Sequence, residues 1–211
     1  FQARLRSESK RINENALVVQ RLKRIPSIIK KLRRDQTKTM SLSQMQDIAG
    51  CRSVLNDVSE VRKLVELYKK SRGLKHKRIR EKDYIKNPKN DGYRSIHLIY
   101  RYKSDKIDTY GDLLIEIQIR SKIQHAWATA IEIVDLFTGQ AIKSNEGEQE
   151  WKDFFKLVSS AFAKMENEKI VFSEENMVEK NQENRIPLAA RMRPKKLGEF
   201  LGQEKIFGEG A

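Results

Sequence analysis

The spacing of apolar positions changes several times along the chain, and each change predicts an element. Leu5, Ile12 and Val19 are sparse apolar contacts in an otherwise charged stretch, which predicts a helix over 2–20. Pro26 then starts a second helix, because proline suits the first helical turn. SIIKKLRR continues it, with Ile28, Ile29 and Leu32 expected to face inward. DIAGCRSVL (47–55) reads as a loop entering a strand. Asp57 and Glu60 form a capping-box pattern, followed by Val61, Leu64, Val65 and Tyr68 at helical spacing and Gly73 as the stop. Residues 76–85 are expected to be extended.

Two segments then alternate with the period of a strand. In SIHLIYRY (95–102), Ile96, Leu98, Tyr100 and Tyr102 fall on one side and Ser95, His97, Ile99 and Arg101 on the other. In LLIEIQIR (113–120), Ile115, Ile117 and Ile119 oppose Glu116, Gln118 and Arg120. Helices are expected over 121–136 and 147–166. The second carries an apolar stripe of Trp151, Phe154, Val158, Phe162 and Met165, read as core. The order of elements predicts an α/β (α+β) domain with a mixed sheet over 1–170, a polar linker over 171–186 and a tail over 187–211.

Composition sharpens this picture. Of 211 residues, 38% are apolar and 34% charged, enough for a real core. The net charge of +14 points to a polyanion as partner. The charge is uneven: residues 1–38 hold twelve Lys/Arg against three Asp/Glu, and residues 63–82 hold nine against two. These two segments carry the whole excess. The single cysteine, Cys51, excludes a disulfide framework and a cysteine-based zinc site within one chain, and it sits in an apolar stretch. No run approaches the ~18 apolar residues of a membrane span. A reducing, cytoplasmic setting and no membrane partner are expected.

The common nucleotide-binding and zinc-hydrolase motifs are absent. There is no GxxxxGK[ST] loop, no GxGxxG turn and no HExxH pair, and the three histidines, His76, His97 and His125, are scattered. Two carboxylates stand out instead. Glu116 lies mid-strand among isoleucines, and Asp47 precedes the strand at 50–55. Two acids from different sheet positions are a usual way to hold Mg²⁺, with water and substrate phosphates as further ligands. Asp47 as a loop or capping residue, and Glu116 as an ion-pair partner of Arg120, are the plainer alternatives. Lys23, Ser27 and Lys31 recur every four residues, and Ser27 and Lys31 share a helix face. Arg21 lies before the proline and cannot be placed on that face. Tyr93 follows Gly92 in a turn ringed by Lys86, Lys89 and Arg94. Its ring can stack on a base, a contact worth roughly 1–3 kcal/mol, or simply pack on the sheet.

RLKRIPSIIKK (21–31), QDIAGCR (46–52), KDYIKNPKNDGYRSIH (82–97) and EIQIR (116–120) together resemble the synthetase domain of the RelA/SpoT family, over about residues 15–166. The resemblance implies a nucleotidyltransferase-like mixed sheet of about five strands flanked by helices. It implies transfer of pyrophosphate from ATP to the 3′-hydroxyl of GDP or GTP, making the alarmones ppGpp and pppGpp. Arg21, Lys23, Ser27 and Lys31 would contact ATP and Arg52 would lie near its phosphates. Asp47 and Glu116 would hold Mg²⁺, with Glu116 also helping to deprotonate the attacking hydroxyl. Tyr93 would stack on the acceptor base, Lys89, His97 and Gln118 would line that side, and the cations beside Tyr93 would hold phosphates. The His-Asp motif of the family's hydrolase domain is absent, which implies synthesis only.

Some small members of the family instead pyrophosphorylate the 3′ CCA end of tRNA, and HAWATAIEIVDLFTGQAIKSNEGEQEW (125–151) is similar to both groups. A tRNA acceptor therefore stands as an alternative, and a non-catalytic nucleic-acid-binding module as a third reading. The stretch PLAARMRPKKLGEFLGQEKIFGEG (187–210) resembles the opening of clamp-loader-like AAA+ ATPases, especially replication-associated recombination protein A. It ends before any phosphate loop, so the AAA+ module would be a fused or partner unit.

Overall fold

The computed structural model describes residues 1–33, 40–71, 74–105, 111–139, 142 and 147–171. Helix α1 (Gln2–Ile12) is much shorter than the helix expected over 2–20. It ends at Asn13, whose side chain accepts from the Asn15 amide at 2.8 Å and donates to the Glu60 carboxylate at 2.9 Å. This local turn competes with further helix. The next residues, Leu17–Leu22, form strand β1, where the branched Val18 and Val19 fit a pleated backbone. Val19 therefore belongs to a strand rather than to a helix. Helix α2 (Ile25–Leu32) starts at the proline as expected, but Ile29 is exposed and Ile28 and Leu32 are only partly covered.

Strand β2 (Ala49–Leu55) leads to α3 (Val58–Lys70). Asp57 caps α3 by accepting from the Glu60 amide at 2.9 Å; the Glu60 carboxylate reaches the Asn56 amide rather than that of Asp57, so the box is shifted by one residue. Val61, Leu64, Val65 and Tyr68 are all buried. Gly73 lies outside the described residues, and so do 172–211, which leaves only Val171 of the expected linker and nothing of the tail. The chain continues through β3 (Lys77–Asp83), β4 (Ile96–Arg101), β5 (Leu114–Ser121), α4 (Lys122–Thr138) and α5 (Gln149–Met165).

The five strands form one mixed sheet in the order β1-β2-β5-β4-β3. The pair β2–β5 is parallel and the others are antiparallel. One face is covered by α1 and α3. There Leu5, Leu64, Val65 and Tyr68 meet Leu98, Tyr100, Ile117 and Ile119 in the main core, which the alternation of β4 and β5 anticipated. Helices α4 and α5 build a second cluster around Trp127, Ile131 and Phe155, with Trp127 Nε1 donating to the Phe155 carbonyl at 2.8 Å.

The predicted stripe on α5 is rotated by one position. Phe155, Ser159, Ser160 and Ala163 are buried, Trp151, Phe154, Val158 and Phe162 are only partly so, and Met165 is 68% exposed. Small side chains at 159 and 163 let α5 approach the loop before β4. Ser159 Oγ donates to the Gly92 carbonyl at 2.6 Å.

Candidate active site

The face of the sheet opposite α1 and α3 carries the polar residues of the central strands. Register brings them into rows. On β2, β5 and β4, Arg52, Gln118 and His97 are direct neighbours, and Gly50 stands beside Glu116. A Cβ at Gly50 would fall 2.3 Å from the Glu116 carbonyl oxygen, so only glycine lets the two strands approach here. A small, open pocket lies at this point, lined by Arg21, Asp47, Ala49, Gly50, Cys51, Glu116 and Gln118. The two candidate carboxylates thus share one pocket. Arg21, which the sequence could not place, reaches it from β1 opposite Gly50.

Asp47 sits in the turn before β2. The Lys23 amide donates to the Ile48 carbonyl at 2.8 Å, extending the β1–β2 pairing and bringing Lys23 beside Asp47. Lys23 Nζ lies 2.6 Å from Asp47 Oδ2, and Lys31 Nζ reaches Oδ1 from α2 at 2.8 Å. Burial pushes the Asp47 carboxyl up, but the two ammonium groups outweigh it and hold the pKa at about 2. Ser27 is exposed on α2 and does not line the pocket.

Glu116 is 7% exposed. Its Oε2 faces His97 Nδ1 at 3.1 Å and its Oε1 accepts from Gln118 Nε2. Burial raises its pKa and these hydrogen bonds outweigh burial, leaving it below the ordinary carboxylate range; the charge of Asp47 pushes the other way. The Arg120 alternative is not realised. Arg120 Nη2 donates instead to His125 Nδ1 at 2.6 Å, and burial together with Arg52 lowers the Arg120 pKa to about 10. Arg52 donates to Gln118 Oε1 through Nε and Nη2, at 3.1 and 2.9 Å.

At the other end, Gly92 adopts φ +92°, a backbone that favours glycine. The turn aims Tyr93 at the sheet, where its hydroxyl meets His97 Nε2 at 2.8 Å. The ring is edge-on to Tyr84 and tilted against Trp127. Lys89 Nζ lies over both the Tyr84 and Tyr93 rings, at 4.9 and 5.0 Å. Arg94, expected among the phosphate-holding cations, is 3% exposed and donates to the carbonyls of Ile85 and Lys169, at 3.1 and 2.7 Å. It is a staple between the β4 entry and the chain after α5. Lys86 is exposed.

One residue was missed. Lys82 on β3 pairs across strands with His97, so it belongs to the same row. Its Nζ donates to Gln46 at 3.1 Å, and burial lowers its pKa while Glu116 opposes this. Alternation within β3 alone does not show that neighbour; the β3–β4 register does.

Among the described residues no group of three or more His, Cys, Asp or Glu side chains gathers as a metal cage. Two ionised carboxylates repelling each other across one pocket do fit a hard divalent cation that takes its remaining ligands from water and phosphate. Lys23, Lys31, Arg21 and Arg52 give the surroundings the positive character that a polyphosphate needs.

Residues 20–134 match the family model described as the region found in RelA / SpoT proteins. Two curated proteins of Bacillus subtilis (strain 168) are similar. GTP pyrophosphokinase YjbM is 33% identical over 112 residues, covering 53% of this chain and 52% of its own length. GTP pyrophosphokinase YwaC is 34% identical over 113 residues, covering 52% of each. The chain thus spans about half the length of the curated relatives it matches. Among solved structures, small alarmone synthetase 1 from Bacillus subtilis superposes with a TM-score of 0.65 at 23% identity, over 87% of this chain and 91% of that one, which shows a common fold.

Proposed function

Because the chain belongs to the RelA/SpoT family, we propose that it is an ATP-dependent pyrophosphokinase, transferring the β,γ-diphosphate of ATP to the 3′-hydroxyl of GDP or GTP to make the alarmones ppGpp and pppGpp. The observation that carries this reading is the convergence of Asp47 and Glu116 on one pocket with Arg21. Two relatives named as GTP pyrophosphokinases support it, and the small alarmone synthetase that shares the fold holds its product pppGpp.

The chemistry asks mainly for positioning and charge neutralisation. The acceptor 3′-oxygen forms a bond to the β-phosphorus, the bond between that phosphorus and the bridging α–β oxygen breaks, and AMP leaves with the electron pair. Asp47 and Glu116 would hold Mg²⁺, which supplies charge neutralisation to the donor phosphates when bound. Arg21, Lys23, Ser27, Lys31 and Arg52 bind ATP in this reading. Lys23 and Lys31 share Asp47, which lines the pocket, in the free chain, and in this reading exchange it for the triphosphate. Glu116, held ionised, accepts the proton of the attacking hydroxyl. Tyr93 stacks on the acceptor base, with Lys89, which already lies over its ring, and His97 and Gln118 on that side. Among the described residues no helix is long and apolar enough to cross a membrane.

The test is incubation with Mg²⁺ and ATP labelled at the γ-phosphate, offering GDP, GTP or deacylated tRNA in turn. Label in a guanosine nucleotide is the expected result. Label in tRNA alone would replace the acceptor. Label nowhere, with salt-sensitive RNA binding, would replace the whole reading with a binding module.

A further inference from the structure

Tyr93 reaches Glu116 by a route that base stacking does not use. Its hydroxyl lies 2.8 Å from His97 Nε2, and His97 Nδ1 lies 3.1 Å from Glu116 Oε2. From the other side, Arg52 donates twice to Gln118 Oε1, and Gln118 Nε2 donates to Glu116 Oε1. The direction of every bond follows from the groups involved. Arginine only donates and an ionised carboxylate only accepts. The His97 proton therefore sits on Nδ1, its Nε2 accepts, and the Tyr93 hydroxyl donates. Two hydrogen-bonded arms, one from each end of the site, terminate on one carboxylate.

Saturation is the informative feature. Both ring nitrogens of His97 are engaged, and Gln118 Oε1 already accepts two bonds. His97 and Gln118 are 6% exposed each, and the Tyr84 ring stands edge-on to His97 at 5.2 Å, fixing its plane. In the free chain both His97 nitrogens are thus committed to Glu116 and Tyr93, and Gln118 keeps one Nε2 hydrogen for the acceptor side.

We infer that His97 and Gln118 are positioning residues that aim the Glu116 carboxylate, and that the Tyr93 hydroxyl, acting through His97, couples the seating of the acceptor on the Tyr93 ring to that aim. The inference rests on the proposed reaction for its kinetic consequence and on geometry alone for the network.

Tyr93→Phe keeps the ring and removes the hydroxyl. The expected result is a kcat lower by roughly tenfold to a hundredfold, the scale of a small misplacement in an active site, with acceptor KM within about twofold. A preserved kcat with a raised KM would show that the hydroxyl touches the acceptor instead and would overturn the coupling. His97→Asn, whose amide nitrogen stands near the place of Nδ1, keeps a donor to Glu116 and loses Tyr93. The Tyr93→Phe/His97→Asn double variant is expected to be no worse than the poorer single, whereas fully additive losses would overturn the coupling. Nitrogen-15 NMR of the histidine-labelled chain, without nucleotide or metal, reads the network directly. The Nδ1–H tautomer of His97 is expected, and the Nε2–H tautomer would overturn it. A chain that transfers diphosphate to no acceptor yet shows the Nδ1–H tautomer would overturn the proposed function and leave the network standing.

Discussion

Asp47 and Lys31 stand 16 positions apart in the chain and 2.8 Å apart in space, with Lys23 on the other carboxylate oxygen at 2.6 Å. An aspartate caught between two ammonium groups has a folded-state pKa of about 2, below its ordinary 3.8. Its contribution to stability is complete above the unfolded pKa and is lost as pH falls through the folded one. Asp47 remains partly open to solvent, which screens the pair, so the contribution is about 1 kcal/mol. Urea melts of the wild type and Asp47→Asn between pH 5 and pH 2 are expected to differ most at the upper end and to converge towards pH 2. A constant difference across that range would assign the shift elsewhere.

If Asp47 and Glu116 hold the metal as proposed, replacing either acid removes a charged ligand and is expected to leave the fold intact. Glu116→Gln and Asp47→Ala are expected to lower diphosphate transfer by at least about a hundredfold, the size of effect typical of a lost electrostatic catalyst, while circular dichroism remains that of the wild type. Turnover near the wild-type level in either variant would take that residue out of the mechanism.

Tyr93 carries a second expectation, distinct from that of its hydroxyl. Tyr93→Ala removes the ring, and a stacked base is worth roughly 1–3 kcal/mol, equivalent to about fivefold to a hundredfold in acceptor KM. Acceptor saturation curves at fixed ATP test this. Unchanged saturation would return Tyr93 to plain packing against Trp127 and Tyr84.

Gly92 is constrained twice over. Its φ is +92°, and an added Cβ would lie 2.9 Å from Ser159 Cβ and 3.1 Å from the Trp127 ring. Gly92→Ala is expected to destabilise by about 1–3 kcal/mol, visible as a lower thermal midpoint. The turn also aims Tyr93, so acceptor KM should rise with it. A midpoint equal to that of the wild type would mean that α5 yields freely at Ser159.

Much of the fold was legible because local rules dictate it. Alternation in β4 and β5 separated core-facing isoleucines from Glu116 and Gln118, and the spacing of Val61, Leu64, Val65 and Tyr68 located the buried side of α3. The motif residues Asp47 and Glu116 were likewise visible, and the pocket brings both together. The misses share a cause. A charged stretch with sparse apolar residues looked helical through Val19, although the Asn13 turn and the pairing of β1 with β2 make a strand there. Arg94 looked like a ligand cation until buried carbonyls claimed it, and Met165 looked like core until the small Ser159 and Ala163 proved to set the contact.

By itself, then, the sequence determined which segments are helices and strands almost everywhere, which side of the central strands is apolar, and which two acids stand out. Only the tertiary structure decided that Glu116 bonds to His97 rather than Arg120, that Lys82 joins the same row, and that Asp47 is shared by two lysines. The reason is physical. Periodicity along one strand says which way a side chain points, whereas its partners come from neighbouring strands, and strand order and register are settled by packing across the whole sheet.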